Sequence, residues 1–559
     1  MMIASFVSFL ATAMSAAYAV DRIGLTISPL AVLVVSIAAA AAVFTALKPT
    51  AHVERVETFA FAAIVSAVLA YLLWLARPAL LPVGGGPDLA HHLMLVDYIE
   101  RHWRLAHDPA LGAVMGEMVD YTPGLHVLAV LAGAWTRTDG FHAVYPLVAL
   151  TVAVKAGLVF AIAMRVSRHS SDARGAPPPL ARMTFAIAAV LLLLVPREYF
   201  FRSFTEHSFL AQVVAECFAI AMWWAVVVWT ERPTLPTMVM FAIAGVATFL
   251  TWPVWIGPLL LLLLVVVASQ TEVPLRDRVR ALIVGIAPIA LVASVHALGR
   301  VRAAAIAGTS GFVVWPSVDL FGWWFLALAL GGVILAAADR RARSIVWLLA
   351  AIALQAAALF VVATRSGADR PYLALKMVYL AIYPLAVAAS LFLGRMGRSL
   401  SCPSCLLIVA ALAIVVARPL IKERPPKPVV SEPMFLAGQW ARANLPPACI
   451  DYLVRNNYTA YWLHLAVLGN ARQTERTRDN ATFDSKQALV RWIQPEGLPF
   501  AIADDFDALP KDIRTSVDVI ERFGPAAVVR RRGPSSCEEN RGAVAYGKSR
   551  IPNATVPTP

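Results

Sequence analysis

Charged side chains are scarce in this chain. Only 15% of its 559 residues are charged, whereas 59% are hydrophobic, and the mean hydropathy is +0.69. A soluble domain carries roughly a quarter charged residues, so the composition excludes an ordinary soluble protein. Several apolar runs reach the length of about 20 residues that a helix needs to cross a bilayer. These runs are residues 27–47, 57–76, 143–164, 281–299, 345–363 and 372–393. Lipid offers the backbone no hydrogen-bond partners, so the runs must be helical. Their lack of alternation between apolar and polar residues excludes a transmembrane barrel.

Cysteine is also rare, with five residues in the whole chain. Cys402 and Cys405 form a C-x-x-C pair, but no second Cys or His pair follows at the spacing of a zinc site, and no thioredoxin-like unit surrounds it. We interpret these two as incidental. Cys449 and Cys537 lie in the C-terminal region that the topology below places outside, where a disulfide is permitted.

The excess of positive charge, +13, lies largely in short loops and not in a stripe on a soluble helix, so we expect no nucleic-acid binding. The basic loops alternate with a second set, and the positive-inside rule places them in the cytoplasm. They are residues 48–56, 165–182, Arg232, 276–280, 340–343 and Arg395 with Arg398. This pattern predicts about thirteen spans, with short paired helices around Pro253, and an outer location after about residue 419. Since no Lys or Arg precedes the first apolar stretch, we expect residues 1–20 to be an uncleaved span.

The tail differs in composition from the rest. Pro425, Pro426 and Pro428 mark a linker, amphipathic helices are predicted near 434–444 and 458–469, and apolar runs at 499–503 and 526–530 predict strands. The expected fold is an α-helical polytopic membrane protein with a small α/β extracytoplasmic domain. We assign residues 1–420 to the transmembrane domain, with a long outer loop at 78–142, and residues 421–559 to a periplasmic soluble domain.

The outer loops are long and mix acids, histidines and aromatics, which makes them the expected place of function. Loop 78–142 contains Asp88, followed by His91 and His92. From Asp88 the spacing predicts a helix along the membrane surface, with Asp88 at its N-cap. Its apolar side would contain Leu89, Leu93, Val96, Ile99 and Trp103. The alternative to a functional Asp88 is a cap beside a solvated charged face.

Further along, Tyr121 and His126 flank a Pro-Gly pair that precedes an apolar stretch. A lone histidine at such a boundary is more often structural than catalytic. The second outer loop, residues 197–207, is dense in charges and aromatics and contains Arg202, Glu206 and His207.

Two charged residues lie within predicted spans. Glu216 follows Gln212 by one helical turn, and Lys155 lies in an earlier span. Intramembrane charges are costly and are commonly functional, and a buried ion pair between these two residues is the alternative.

The fifth outer loop leads into a helix whose Tyr372, Lys376, Tyr379 and Tyr383 share one face. Lys376 would lie about one turn inside the membrane. It can snorkel outward, or it can hold a phosphate at the membrane surface together with Arg370. The tyrosine stripe favours the second interpretation.

This order of features resembles the GT-C membrane glycosyltransferases, multi-span enzymes that use polyprenyl-phosphate sugars. The resemblance rests on Asp88 in the long first outer loop, the Tyr121–His126 entry into a span, the late Tyr372-x3-Lys376 helix and the outer C-terminal domain. It implies that Asp88 is the catalytic base. Three residues would bind the donor phosphate: Arg202, Arg370 and Lys376. The candidates for substrate binding are His91, His92, Tyr121, His126, Glu206, His207 and Tyr372.

The implied reaction is an inverting transfer from a polyprenyl-phosphate sugar to a glycan or lipid acceptor. It would take place on the periplasmic face of a bacterial inner membrane, in cell-envelope glycan assembly. Two spans precede the catalytic-type loop where many relatives have one, and its acid is a single Asp88 and not an adjacent pair. We therefore assign no metal ligands and no certain cofactor, although Asp97, Asp120 or Glu206 could supply a ligand for a divalent ion.

Two other functions remain open. A secondary transporter or lipid flippase would use Lys155 and Glu216 in a translocation path, and a non-catalytic assembly subunit would use the outer domain to bind partners. Neither accounts readily for the long, charged outer loops.

Overall fold

The computed structural model describes residues 2–48, 55–84, 87–169, 179–298, 311, 313–397, 402–470, 483–535 and 537. The chain divides into two compact units. The helical unit comprises Met1–Gly85, Tyr98–His107 and Asp120–Pro428, and the sheet unit comprises Gly86–Asp97, Asp108–Val119 and Val429–Pro559.

Helices dominate the chain up to the proline-rich linker. In chain order they are α1 (Met2–Arg22), α2 (Pro29–Leu47), α3 (Arg55–Leu75), α4 (Pro87–His102), α5 (Gly112–Met115), α6 (Gly124–Thr136), α7 (Gly140–His169), α8 (Pro179–Leu193), α9 (Arg197–Phe200), α10 (Arg202–Thr205), α11 (Leu210–Glu231), α12 (Leu235–Thr251), α13 (Ile256–Ser269), α14 (Leu275–Ala297), α15 (Val318–Phe321), α16 (Trp323–Ala338), α17 (Arg343–Arg365), α18 (Tyr372–Met396) and α19 (Cys402–Ile421).

Within the described residues, nine helices are long and apolar enough to cross a membrane, namely α1, α2, α3, α7, α11, α14, α17, α18 and α19. The six apolar runs expected to be helical coincide with α2, α3, α7, α14, α17 and α18. The predicted class, a helical multi-pass membrane protein, is therefore confirmed. The total of about thirteen spans stays a prediction, because five further apolar helices have only 10–17 residues. Two of these, α12 and α13, flank Pro253 as expected.

Contacts between helix termini define two ends of the helical unit. The Tyr71 hydroxyl near the end of α3 donates to the Leu420 carbonyl near the end of α19, at 3.1 Å. We call this the loop end, where α11 and α18 begin. At the other end, which we call the basic end, Arg165 of α7 pairs with Glu231 of α11. This arrangement agrees with the alternation of basic loops in the sequence.

A closed polar network lies inside the bundle. The Lys155 ammonium is 2.5 Å from a carboxylate oxygen of Glu216, and both side chains are 0% exposed. The Tyr383 hydroxyl donates to the same oxygen at 2.5 Å, and the Gln212 amide donates to the other at 3.1 Å. The ion pair that the sequence left as one of two alternatives is therefore present. Because the Lys155 and Glu216 charges are buried and paired with each other, they do not favour a translocation path.

The sheet unit is a four-stranded sheet with short helices. The strands are β1 (Ile450–Leu453), β2 (Phe500–Ala503), β3 (Val517–Phe523) and β4 (Ala526–Arg531), and the helices are α20 (Glu432–Asn444), α21 (Asn457–Trp462), α22 (Ala488–Ile493) and α23 (Lys511–Thr515). The spatial order is β1-β2-β4-β3. β1 pairs parallel with β2, with Ile450 opposite Phe500, and the other pairs are antiparallel. Trp492, Ala501 and Val529 belong to its core.

The predicted strands at 499–503 and 526–530 correspond to β2 and β4, and the two predicted helices correspond to α20 and to α21 with the π-helical turn Leu463–Val467. Two strands were missed. All four residues of β1 are buried, so it has no alternating pattern, and β3 is largely polar and interrupted by a bulge between Val519 and Glu521. A disulfide joins Cys449 to Cys537, the pair for which the sequence permits one.

The first prediction concerns the buried ion pair. Glu216→Leu leaves the Lys155 ammonium buried without its carboxylate, and we expect the free energy of unfolding to fall by about 3–5 kcal/mol. The double variant Lys155→Met/Glu216→Leu should recover most of this loss, because no buried charge remains. Denaturant unfolding in detergent micelles measures both.

A matched control is Glu272→Gln, which breaks the exposed pair with Arg340 and should cost less than about 1 kcal/mol. If the double variant is no more stable than Glu216→Leu, the charge is not what makes the single variant unstable.

Candidate functional site

The second outer loop folds into α9 and α10, and Arg202 is at the centre of its charges. Arg202 pairs with Glu198 and with Glu206, the latter at 3.5 Å, because residues four apart lie on one side of a helical chain. It also donates to Glu423, after α19, at 2.7 Å. The predicted phosphate ligand Arg202 is therefore already surrounded by three carboxylates.

Three side chains of this loop could hold a metal ion. Ligand atoms of Glu198, Glu206 and His207 lie within 4.8 Å of one another. The His207 imidazole, 3.7 Å from a carboxylate oxygen of Glu198, and the Arg202 guanidinium together lower the pKa of Glu198, so this carboxyl group is held in its charged form. Carboxylates and imidazole are common ligands of divalent metals. From the sequence we assigned no metal ligand, and of these three residues only Glu206 was among those that could supply one. Glu198 and His207 were missed, because helical spacing alone does not bring position 198 to position 206.

Lys376 lies in the second turn of α18 and is 1% exposed. Its ammonium is 2.7 Å from the ring centroid of Phe209, 5.0 Å from that of Tyr372 and 5.4 Å from that of Tyr379. Ring faces attract a cation through their quadrupole. Snorkelling to water is therefore wrong for Lys376. Two tyrosines of the stripe, Tyr372 and Tyr379, enclose it, whereas Tyr383 bonds to Glu216.

Phe209 lies next to both the metal-binding side chains and Lys376. The His207 ring lies 5.6 Å from the Phe209 ring, whose face is covered by Lys376. Ser208, between them, donates its hydroxyl to the Val83 carbonyl at 3.1 Å. Gly84 must be glycine here, because it has φ +112° and a Cβ would lie 1.7 Å from the Ser208 hydroxyl oxygen. The start of the first outer loop is thus attached to the second loop.

Tyr121 and His126 come together at the start of α6. Their rings are 5.7 Å apart, and Tyr121 is 6.4 Å from Trp252. His126 is fully buried in α6, which favours the structural interpretation of this residue. Part of the region expected as loop 78–142 is therefore a buried helix, because an apolar run follows the break at Pro123-Gly124.

Asp88 is exposed in the first turn of α4. The helix begins at Pro87, so the expectation that Asp88 is the N-cap is wrong. Proline is favoured at the first helical position, and an aspartate in the first turn interacts favourably with the helix dipole. The predicted apolar side is confirmed for Leu89, Leu93, Val96 and Ile99, which are buried. Trp103, the fifth residue expected there, lies after the end of the helix at His102 and is half-buried.

The histidines after Asp88 have different roles in the sheet unit. His91 is buried, with its Nε2 2.8 Å from the Tyr461 hydroxyl and its Nδ1 3.2 Å from a Glu117 carboxylate oxygen. Burial lowers the pKa of His92 to about 4, although the neighbouring Asp88 opposes this shift. At neutral pH His92 therefore adds no positive charge beside Asp88.

A second contact holds the part of α4 up to Asp97 within the sheet unit. Arg442 of α20 donates to both carboxylate oxygens of Asp97, at 3.0 and 3.1 Å, and to the Val467 carbonyl at 2.8 Å. Nothing in the sequence indicates that Arg442, 345 residues away, makes this contact.

The last predicted phosphate ligand, Arg370, is exposed two residues before α18. The structure thus brings Lys376 together with Tyr372, Arg202 with Glu206, and Tyr121 with His126.

We expect Arg442→Met to lower the free energy of unfolding of the sheet unit by about 3–5 kcal/mol, because it leaves the Asp97 carboxylate buried without its partner. Hydrogen exchange of the α4 amides should become faster. Thermal unfolding and exchange mass spectrometry measure the two effects. Arg455→Met, which breaks the exposed pair with Asp505, is the control and should cost less than about 1 kcal/mol. Unchanged exchange in α4 would contradict a holding role for Arg442.

No model of a known protein family matches the chain, and no curated protein matches it. Among solved structures, it is similar to the oligosaccharyltransferase of Archaeoglobus fulgidus. The match to its complex with Zn and sulfate has 13% identity and a TM-score of 0.43, covering 79% of this chain and 68% of that one. The match to its apo form has 13% identity and a TM-score of 0.47, covering 80% of this chain and 70% of that one. The match to the same enzyme, AglB, in complex with an inhibitory peptide and a dolichol-phosphate has 13% identity and a TM-score of 0.45. It covers 81% of this chain and 70% of that one. These structural neighbours are GT-C membrane glycosyltransferases, the type that the sequence resembles.

Proposed function

We propose that the protein is a membrane glycosyltransferase that transfers a sugar from a polyprenyl-phosphate donor to a glycan or lipid acceptor. The observation that carries the proposal is the enclosed Lys376, joined through Phe209 to Glu198, Glu206 and His207 at the loop end. A lipid-linked phosphate would keep its chain among apolar helices and its charge at the level of the helix termini. A cation beside a group of metal-binding side chains suits such a phosphate.

In this proposal Lys376 binds the donor phosphate. It is the fifth residue of α18, about 6 Å along the helix from its start at 1.5 Å per residue. The ring faces of Phe209, Tyr372 and Tyr379 hold the ammonium in place. Arg370, exposed just before α18, would add a second cation.

Arg202 has a different part from the one that the family resemblance implies. Because Glu198, Glu206 and Glu423 surround it, we propose that its main effect is to hold these carboxylates in position. Glu198, Glu206 and His207 would then hold a divalent ion, which would offset the charge of the departing phosphate when bound.

Asp88 is the proposed general base. Its carboxylate is exposed in the first turn of α4. It would accept the proton of the acceptor hydroxyl as that oxygen attacks the anomeric carbon, while the lipid phosphate leaves from the opposite face and the centre inverts. His92, whose pKa is lowered to about 4, is neutral at pH 7 and adds no positive charge beside Asp88.

The basic end has the arginine-rich loops expected for the cytoplasmic side. We therefore place the loop end and the sheet unit on the periplasmic side of a bacterial inner membrane, where cell-envelope glycans are assembled.

We expect Asp88→Asn to lower the rate of sugar release by about 10²–10⁴-fold, because the amide cannot accept the proton. The measurement is loss of label from radiolabelled polyprenyl-phosphate sugars in native-like membranes. Asp512→Asn, the same change at an exposed position of α23, should retain the wild-type rate. Equal rates in the wild type and Asp88→Asn would exclude Asp88 as the base, and no release from any donor would favour a transporter.

The metal proposal predicts that a chelator lowers the rate and that added Mg²⁺ or Mn²⁺ restores it. Glu206→Gln should raise the metal concentration needed for half-maximal rate at least about tenfold. Glu272→Gln, an exposed glutamate at the basic end, is the matched control and should not. A rate that is insensitive to chelation in wild type would refute the metal site while leaving the transferase proposal intact.

A further inference from the structure

The linker, residues 422–428, contains one acidic side chain that is hidden from water. The Glu423 side chain is only 3% exposed, although Lys422 before it and Arg424 after it are exposed. A glutamate is almost never buried this fully unless it is paired. The partners of Glu423 therefore indicate what the residue does.

Two arginines of the second outer loop bind Glu423. Arg197 donates to its Oε2 at 2.8 Å, and the Nε of Arg202 donates to its Oε1 at 2.7 Å. Both carboxylate oxygens thus accept hydrogen bonds from guanidinium groups, which are among the strong bonds in proteins. The second residue of the linker is therefore fixed to the second outer loop.

Two further contacts attach this part of the chain to the loop end. The Tyr71 hydroxyl donates to the Leu420 carbonyl, just before the linker, and Pro428 at the end of the linker forms a β-bridge with Val83. Neither contact involves a metal-binding side chain. Of these three attachments, it is the one at Glu423 that reaches the carboxylate group around Arg202.

Arg202 divides its donors between Glu423 and the metal-binding acids. Its Nη1 bonds to Oε1 of Glu198, whose other oxygen, Oε2, lies 3.7 Å from Nε2 of His207. Its Nε lies 2.7 Å from Glu423 and 3.5 Å from Glu206. One oxygen of Glu198 is thus held from behind while the other lies beside His207, and metal-ligating carboxylates are commonly held in this way by an outer partner.

The shorter contact with Glu423 draws the guanidinium away from Glu206. Without the Glu423 charge, the Nε of Arg202 turns to Glu206, and the new ion pair occupies a carboxylate that a metal ion needs. A metal ion binds only when its ligands are deprotonated and available. Loss of the Glu423 attachment therefore weakens metal binding, although Glu423 itself is not a ligand.

We propose that Glu423 is a positioning residue of the metal site, and that attachment of the linker and binding of a divalent ion favour each other. The inference rests on the proposed function, since it uses the same metal site. Coupling between two equilibria is reciprocal, so whatever the attachment adds to metal affinity, the metal adds to the attachment. The chain enters the sheet unit directly after the linker, at Val429. The ion thus secures the segment from which the sheet unit continues.

The first measurement is Mn²⁺ binding to the full-length protein in native-like membranes, followed by electron paramagnetic resonance without a sugar donor. We expect Glu423→Gln to raise the dissociation constant for Mn²⁺ about tenfold, as loss of an outer partner does. Saturating Mn²⁺ should then restore most of the wild-type rate of sugar release, which a general loss of structure would not allow. Glu272→Gln, at an exposed position of the basic end, is the matched control and should bind Mn²⁺ as the wild type does.

The second measurement is cleavage by trypsin after Lys422, which is exposed and directly precedes Glu423. A protease cuts an attached segment when that segment opens locally. Saturating Mn²⁺ should therefore slow this cleavage in the wild type by about the same factor of ten, with the cut identified by mass spectrometry. In Glu423→Gln the bond should be cut faster, and Mn²⁺ should no longer protect it.

An unchanged Mn²⁺ affinity in Glu423→Gln would overturn the positioning role, and so would cleavage after Lys422 that Mn²⁺ does not slow in the wild type. No Mn²⁺ binding by the wild type would overturn this role together with the metal site. The protease measurement on the wild type needs no variant, so the proposal stays testable if Glu423→Gln fails to fold. Binding and cleavage are measured without a donor, so the transferase function is decided separately, by Asp88→Asn.

Discussion

The ion pair between Lys155 and Glu216 is the constraint on which the loop end depends. It joins α7 to α11, and the Tyr383 hydroxyl adds α18 to the same carboxylate. In a low-dielectric interior neither charge is tolerated alone, so the three helices can pack only where these groups meet. The network also supports the second outer loop, because the Phe200 ring of α9 lies against Lys155, 5.2 Å from its ammonium, and 6.4 Å from the Tyr383 ring.

The candidate site is built outward from that network. Phe209 follows the loop and covers Lys376, while the preceding His207 lies beside Glu198. The two kinds of side chain in the site therefore lie at different depths along the helices. Aromatic rings surround a single cation where water is excluded, and carboxylates gather around Arg202 where the helices end. In the sheet unit a charge pair again fixes a helix, because Arg442 holds Asp97 of α4. The residue proposed as base thus lies on a helix held by one buried charge pair and by the buried His91–Tyr461 hydrogen bond.

Prediction from the sequence was accurate where a property belongs to a continuous stretch of chain. The long spans and the strands β2 and β4 could be found from apolar runs, and most of the apolar side of α4 from helical periodicity. Prediction was less accurate for the exact start of a helix and for side chains whose partners are distant in sequence. Asp88 was expected to be an N-cap, but the helix begins one residue earlier at Pro87. From the sequence, Lys376 could snorkel outward. In the structure the ring of Phe209 covers its ammonium.

The sequence by itself determined that this is a helical multi-pass membrane protein with a small C-terminal α/β domain, because hydrophobic length and residue pattern are properties of continuous segments of the chain. Only the tertiary structure decided which charges meet. Glu216 pairs with Lys155, Asp97 with Arg442, and Glu198 joins Glu206 and His207 around Arg202. Each of these contacts depends on which helix faces turn towards one another, and that is settled by packing the whole set of helices at once, since a buried charge is stable only where its partner also lies.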